Sequence, residues 1–174
     1  KGVMMVGFHA MAQAPGGLLP HSYDHSMKAI YLNGILVGEI GMEAAMAGYY
    51  HVPLILVTGD SEGVKEAENL LGEIETATVK YAINEHSALC LPLELTRKEI
   101  KEKAKKATEN INRFSPFRID PPYSIEVEFF EKEGAQKMEG FPALQKINEV
   151  KVRVEGENLP LLWESFIGFY QKYD

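Results

Sequence analysis

Apolar positions change their period several times along the chain, and each period predicts a different element. Val3 to Phe8 is apolar without alternation, the pattern of a strand buried on both faces of a parallel or mixed sheet. Residues 10–27 carry glycines, prolines and polar residues and read as a loop. Ala29–Leu32 and Ile35–Val37 flank Asn33-Gly34, and Asn-Gly supplies the positive φ angles of a two-residue hairpin turn. Gly38 to Tyr50 is small, apolar and alanine-rich, which predicts a helix packed closely on its neighbours. Val52 to Val57 is a second unbroken apolar strand, ending at Thr58-Gly59-Asp60. Ser61 to Leu71 places Val64, Ala67, Leu70 and Leu71 at helical spacing, with acidic residues early as a helix start prefers. Thr76 to Val79 is a β-branched strand, so strand, helix and strand follow in the order of a βαβ unit.

Leu95 to Asn112 predicts a long charged helix whose buried stripe is Ile100, Ala104, Ala107 and Ile111. Phe114 to Tyr123 is rich in proline and reads as a linker. Beyond it the period becomes two. Ile125, Val127 and Phe129 alternate with Glu126 and Glu128, and Val150 to Val154 repeats the alternation, as half-exposed antiparallel strands do. Leu161 to Tyr170 closes the chain as an apolar helix, and no internal repeat is visible. The expected architecture is α/β: a three-layer α/β/α core with a mixed, largely parallel sheet, plus a small C-terminal α+β appendage. Residues 1–113 would form the core, 114–123 the linker and 124–174 the appendage. The chain opens with Lys1 and enters an apolar strand at once, so a preceding portion of the core is expected.

With 45% hydrophobic residues, the 174-residue chain can bury a core. A net charge of -7 offers no basic face to nucleic acid and none to an anionic membrane. No apolar run is long enough to span a bilayer, and no signal peptide is visible. The single cysteine, Cys90, reads as a small buried hydrophobe, and its solitude fits a reducing cytoplasm.

The candidate chemistry lies in the first loop, which holds His9, His21 and His25 of the chain's five histidines. His9 follows a strand directly, where α/β sheets present their ligands, and a neutral imidazole there suits zinc. His21 follows Pro15-Gly16-Gly17, a turn that can return the chain to the same strand end, where it could serve as a ligand, a general base or an oxyanion stabiliser. His25 would share a face with His21 only in a helix, and Ser22-Tyr23-Asp24 lacks helical character. Glu39 heads the alanine-rich helix, where either the helix dipole or a metal accounts for a carboxylate. Loop histidines with no role are common, so both readings stand for His9 as well. Glu43 reads as solvated or partner-facing, Asp60 as a helix N-cap or else a group behind the site, and His51 and His86 as structural. Neither a Ser-centred elbow, a P-loop nor a dinucleotide glycine fingerprint is present.

Several motifs in order resemble the zinc-dependent D-aminopeptidases, metallopeptidases associated with dipeptide-transport operons. They are Gly7-Phe8-His9-Ala10-Met11-Ala12, Pro15-Gly16-Gly17, His21-Ser22-Tyr23, Leu32-Asn33-Gly34, Val37-Gly38-Glu39-Ile40-Gly41, and Val52-Pro53 through Thr58-Gly59-Asp60. The match is strong to about residue 80 and fainter beyond, and it corresponds to the C-terminal two-thirds of the family. The resemblance implies that His9 is a zinc ligand, Glu39 a ligand to the second of two zinc ions, and His21 the catalytic histidine. It implies hydrolysis of short peptides with N-terminal D-residues, in ring-shaped homo-oligomers such as a decamer. The helix 38–50 and the tail after residue 123 would be the subunit contacts.

Two departures accompany the resemblance. The family's metal site also needs an Asp-x-Glu pair and another histidine upstream of the opening strand; one histidine and one glutamate cannot hold two zinc ions. That implies a fragment of a longer protein, with lost activity as the alternative. Asn84-Glu85-His86 also stands where relatives tend to carry a basic residue. The competing functions are a metal-dependent amidase of other specificity and a non-catalytic oligomerising scaffold.

Overall fold

In the computed structural model, which describes residues 1–173, nine strands and five α-helices follow one another. They are β1 (Val3–Phe8), β2 (Met27–Leu32), β3 (Ile35–Val37), α1 (Glu39–Tyr49), β4 (Leu54–Asp60), α2 (Ser61–Leu71), β5 (Glu75–Asn84), β6 (Ser87–Cys90), α3 (Leu93–Glu109), β7 (Tyr123–Phe129), α4 (Lys132–Lys137), β8 (Gln145–Lys146), β9 (Lys151–Gly156) and α5 (Leu159–Tyr170). No described helix is long and apolar enough to cross a membrane.

Two sheets form. The first has the order β1-β4-β5-β6, with β4 parallel to both β1 and β5 and β6 antiparallel to β5. β4 is central and buried along its whole length, as its unbroken apolar run predicts. Its side chains feed two cores. Leu54 and Val57 meet Ile40 and Ala44 of α1 and Ala67 of α2, whereas Ile55 and Leu56 meet Ala107 of α3 and Phe114. Helices therefore cover both faces, and the three-layer expectation holds. Lys103 and Lys106 of α3 reach Glu75 on β5 at 3.2 and 2.6 Å and pull that buried carboxyl below its ordinary range against the effect of its burial.

β1 differs from expectation. It is the edge strand, so of its residues only Met5 is buried, while Met4 and Val6 face outward. An unbroken apolar run cannot distinguish an edge from a centre, because strand order is a tertiary property.

The second sheet, β3-β2-β7-β9-β8, is antiparallel throughout. Asn33 and Gly34 take φ values of 49° and 81°, the turn that Asn-Gly predicts between β2 and β3. Ile125, Val127 and Phe129 are buried, whereas Glu126 lies opposite Arg153 on the other face and also meets Lys151 at 2.7 Å. The sheet packs on α5 through Leu159, Trp163, Phe166 and Tyr170.

This pairing crosses the expected division at 114–123. The hairpin at 27–37, assigned to the 1–113 core, pairs with β7 and shares one hydrophobic cluster with β9 and α5. The proline-rich segment is not a free linker. Phe114 is buried, and the Asn33 amide donates to the Asp120 and Pro122 carbonyls while its oxygen accepts the Ser124 N–H. A hairpin's own sequence fixes its turn but not which distant strand extends it.

α1 lies between the sheets. Ile40 and Ala44 join the first sheet's core, Met42 and Ala45 that of the second. Its small residues allow close approach: a Cβ on Gly48 would stand 1.9 Å from the Phe117 carbonyl oxygen. Packing inside the chain thus takes up most of the helix that the resemblance offers as a subunit contact. Cys90 is exposed at the end of β6, contrary to its apolar surroundings in sequence. Sequence patterning also passes over β6, α4 and β8, all six residues or shorter.

Candidate metal centre

The site is assembled at the strand ends of the first sheet. Gly7 (φ 84°) lies in a register irregularity between Val6 and Phe8, and its N–H donates to Thr58 Oγ1 at 3.1 Å. Across from it, a Cβ on Gly59 would stand 1.9 Å from the Phe8 carbonyl oxygen, so only glycine lets the two strand ends approach this closely. The chain then turns His9 off the end of β1 and lays its backbone on the first turn of α2, where Gly63 leaves room.

The loop that follows returns His21 to the same place. Gly17 N–H donates to Ala14 O, Leu19 N–H donates to Glu85 O on the β5–β6 turn, and Leu18 N–H reaches Asp60 Oδ2. Asp60 is fully buried and caps α2 by accepting the Glu62 N–H at 3.3 Å. Gln13, Leu19 and Tyr23 all adopt positive φ (64°, 47° and 60°), a concentration of left-handed backbone that strained functional loops show. The imidazoles of His9 and His21 stack with centroids 4.0 Å apart, and His25 lies 4.8 Å from His21. No helix brings the last two together; the contact comes from tight turns, and His25 itself is exposed.

Glu39 projects from the first residue of α1 into this cluster. Its Oε1 is 3.7 Å from His9 Nε2 and 3.8 Å from His21 Nε2, with the three side chains 20–27% exposed. Both Nδ1 atoms face backbone carbonyls, Ala10 O at 3.0 Å for His9 and Leu19 O at 2.8 Å for His21. A carbonyl only accepts, so each Nδ1 carries a proton, and in the neutral ring each Nε2 then keeps its lone pair. Two imidazole lone pairs and a carboxylate oxygen thus face one another, an electron-rich set that a cation would stabilise. The ligand atoms of all three residues lie within 4.8 Å of one another. Ligands of one tetrahedral zinc, each about 2.0–2.1 Å from the ion, stand roughly 3.3 Å apart. The donor set therefore fits zinc with little movement.

The second layer contains residues to which the sequence assigned no role at the site. Tyr23 N–H donates to Glu39 Oε1 at 2.8 Å, and its phenol donates to Glu43 Oε1 at 2.9 Å. Glu43 is half-buried and paired, not solvated. Burial, reinforced by the Glu43 carboxylate, pushes the Tyr23 phenol far above the ordinary tyrosine range, so it remains a donor. Glu66 on α2 is buried, and its Oε2 accepts the Met11 N–H at 2.7 Å. Burial pushes its carboxyl up to about 7; the negative charges of Asp60 and Glu39 add to this, and the Met11 N–H works against it. Gly38 makes room for both groups, since a Cβ there would stand 2.5 Å from Glu66 Oε1 and from the Met11 Cβ. A sequence signal for Glu66 existed: it shares a helical face with Gly63 and Leu70, where a solvated carboxylate has no place. His51 and His86 are exposed and lie outside the cluster.

An α/β scaffold here brings two imidazoles and a carboxylate together at its strand ends, a set that could hold a metal ion. Comparison with known proteins makes this specific. A family profile of the M55 peptidases, described as D-aminopeptidase, matches residues 1–166, and the chain belongs to that family. It is 36% identical over 122 residues to a D-aminopeptidase of Bacillus subtilis (strain 168), covering 70% of this chain and 43% of that protein. A solved structure, the Zn-dependent D-aminopeptidase DppA from Bacillus subtilis, described as a self-compartmentalizing protease, superposes with a TM-score of 0.93 at 27% identity. That superposition covers 98% of this chain and 62% of the DppA chain, so the chain spans less than two thirds of either relative.

Proposed function

We propose that the full-length protein is a zinc-dependent aminopeptidase that hydrolyses short peptides with N-terminal D-residues at a binuclear centre. His9 and Glu39 are ligands from this chain, and His21 is the catalytic histidine. The observation that carries the reading is the convergence of the His9 and His21 Nε2 atoms on Glu39 Oε1, at 3.7 and 3.8 Å, with both Nδ1 atoms tied to carbonyls. One histidine and one glutamate fall short of two zinc ions, so further ligands must come from elsewhere in the full-length protein.

Zinc, when bound, polarises the peptide carbonyl and makes water acidic enough to attack near neutral pH. His9 and Glu39 supply neutral and anionic donors respectively. His21, with its Nδ1–H held by Leu19 O, presents a basic Nε2 to the site; it accepts the proton of the attacking water and returns it to the leaving amine. The strained loop and the buried second layer keep these groups in register before substrate arrives.

His21→Ala in the full-length protein should lower kcat by a factor of about 100 to 10,000 while zinc content stays unchanged. Zinc lost together with activity would make His21 a ligand, which its equal distance to Glu39 also permits. Matched D- and L-dipeptides test specificity: equal kcat/KM for both would favour a broader amidase. Full-length protein purified without chelator and free of zinc would favour a non-catalytic scaffold.

The self-compartmentalizing description of the relative supports a ring-shaped homo-oligomer, a decamer among the candidates, whose subunit contacts lie away from the buried face of α1. The solitary exposed Cys90 suits a reducing cytoplasm.

A further inference from the structure

Among the described residues Glu39 is the only carboxylate in the candidate centre, and a carboxylate on a flexible stem needs an external hold to act as a preorganised ligand. The backbone N–H of Tyr23 provides that hold, 2.8 Å from Oε1. Residue 23 makes this contact from the left-handed region, φ 60°, at the centre of a turn closed by Asp24 N–H donating to Ser22 O at 2.7 Å. This is the γ-turn form with positive φ, which is rare and strained for a residue with a side chain. Something must over-determine it.

The side chain of Tyr23 is held by two partners. Its O–H donates to Glu43 Oε1 at 2.9 Å, one helical turn after Glu39 on α1, and its ring meets Trp163 of α5 edge-on with centroids 4.9 Å apart. The flanking residues are tied as well. Ser22 is buried and its Oγ accepts the Ala12 N–H at 3.1 Å, while Asp24 accepts hydrogen bonds from Ser26 and from the Tyr170 phenol of α5. We propose that Tyr23 is a positioning residue: its phenol, clamped between Glu43 and Trp163, holds a strained γ-turn whose N–H fixes the Glu39 carboxylate for zinc. The clamp joins α1, which carries the ligand, to α5, which belongs to the other sheet's core. This rests on the zinc reading above and adds to it how the far end of the chain reaches the metal.

The test is a chelator-competition measurement of zinc affinity on the natural full-length protein, with kcat, KM and thermal melting on the same samples. Tyr23→Phe, which removes the phenol's hydrogen bonds with Glu43 and Trp163 and keeps the ring, should weaken zinc binding about tenfold, as loss of an outer-shell partner does. kcat should fall with KM for a D-dipeptide unchanged. Glu43→Gln keeps an acceptor for the phenol and should bind zinc as the parent does; Glu43→Ala should weaken binding in the same direction as Tyr23→Phe, and the double variant should lose no more than Tyr23→Phe alone. A purely structural tyrosine would lower the melting temperature but leave the zinc affinity of the folded protein alone, and that result overturns the proposal. Should Tyr23→Phe not fold, Glu43→Ala against Glu43→Gln carries the same comparison. Parent protein that binds no zinc sinks the zinc reading and this inference together; parent that binds zinc, with both clamp variants unchanged, sinks this inference alone.

Discussion

Individual residues in this protein are held in states that water would not give them. Glu66 is the clearest case. Buried behind the site, its carboxyl has moved from an ordinary value of 4.5 to about 7, so the folded state binds its proton more tightly than the unfolded chain does. The stabilisation this brings is complete below the unfolded value, near 4.5, and is lost as pH rises through about 7. Across that window the metal-free protein should lose about 2–3 kcal/mol relative to a neutral isostere. Glu66→Gln should therefore gain in melting temperature over the parent on going from pH 5 to pH 8. A difference between the two that does not change with pH would show that Glu66 does not titrate there. His9 and His21 illustrate the same theme through hydrogen bonding, since a carbonyl on each Nδ1 leaves each Nε2 to face Glu39.

At the scale of elements, close backbone approach decides what glycine is for. Gly59 on β4 faces the Phe8 carbonyl oxygen, which would stand 1.9 Å from an added Cβ, and backbone cannot yield as a side-chain tip can. Gly59→Ala should cost about 1–3 kcal/mol of stability and, because the end of β1 carries His9, should weaken zinc binding in the same variant. On α5, a Cβ added at Gly168 would meet nothing within 4 Å, so Gly168→Ala should stabilise by about 0.5–1 kcal/mol and leave zinc binding alone. Chemical denaturation and metal titration of the pair check both; equal effects would mean that the close approach at Gly59 is not what matters. Elements with strong local signals were legible: the Asn33-Gly34 hairpin, the apolar β4, the α2 stripe and the alternating β7 all formed as their patterns predict. The β5–β6 hairpin was not fully read, because its outer part buries little and leaves Tyr81, Ile83 and Leu89 exposed.

With this architecture the described residues should unfold as one unit. β2 follows the metal-site loop in sequence but lies in the sheet of β7 and β9 and in the core of α5, and α1 packs on both sheets. Phe166 is fully buried and stacked on Trp163, whose edge contacts Tyr23. Phe166→Ala should cost about 3–5 kcal/mol. Hydrogen exchange should then accelerate in β2 as well as in α5. Protection of β2 at the parent's level, with α5 exchanging freely, would show two independent folding units divided near residues 114–123.

The sequence by itself determined what depends on neighbours along the chain: strand and helix periods, the hairpin turn, the cap at Asp60, and a loop dense enough in histidine to be the candidate centre. It also carried, through motifs in order, the resemblance that family membership bears out. Tertiary structure alone decided that β1 is an edge, that the hairpin at 27–37 joins the C-terminal strands, that α1 is buried between two sheets, and that Tyr23, Glu43 and Glu66 stand behind the site. The physical reason is range. Backbone propensity and side-chain period act over a few residues, whereas strand order, shared cores and hydrogen bonds such as Tyr23 to Glu39 are selected by the free energy of burying surfaces that lie far apart in sequence.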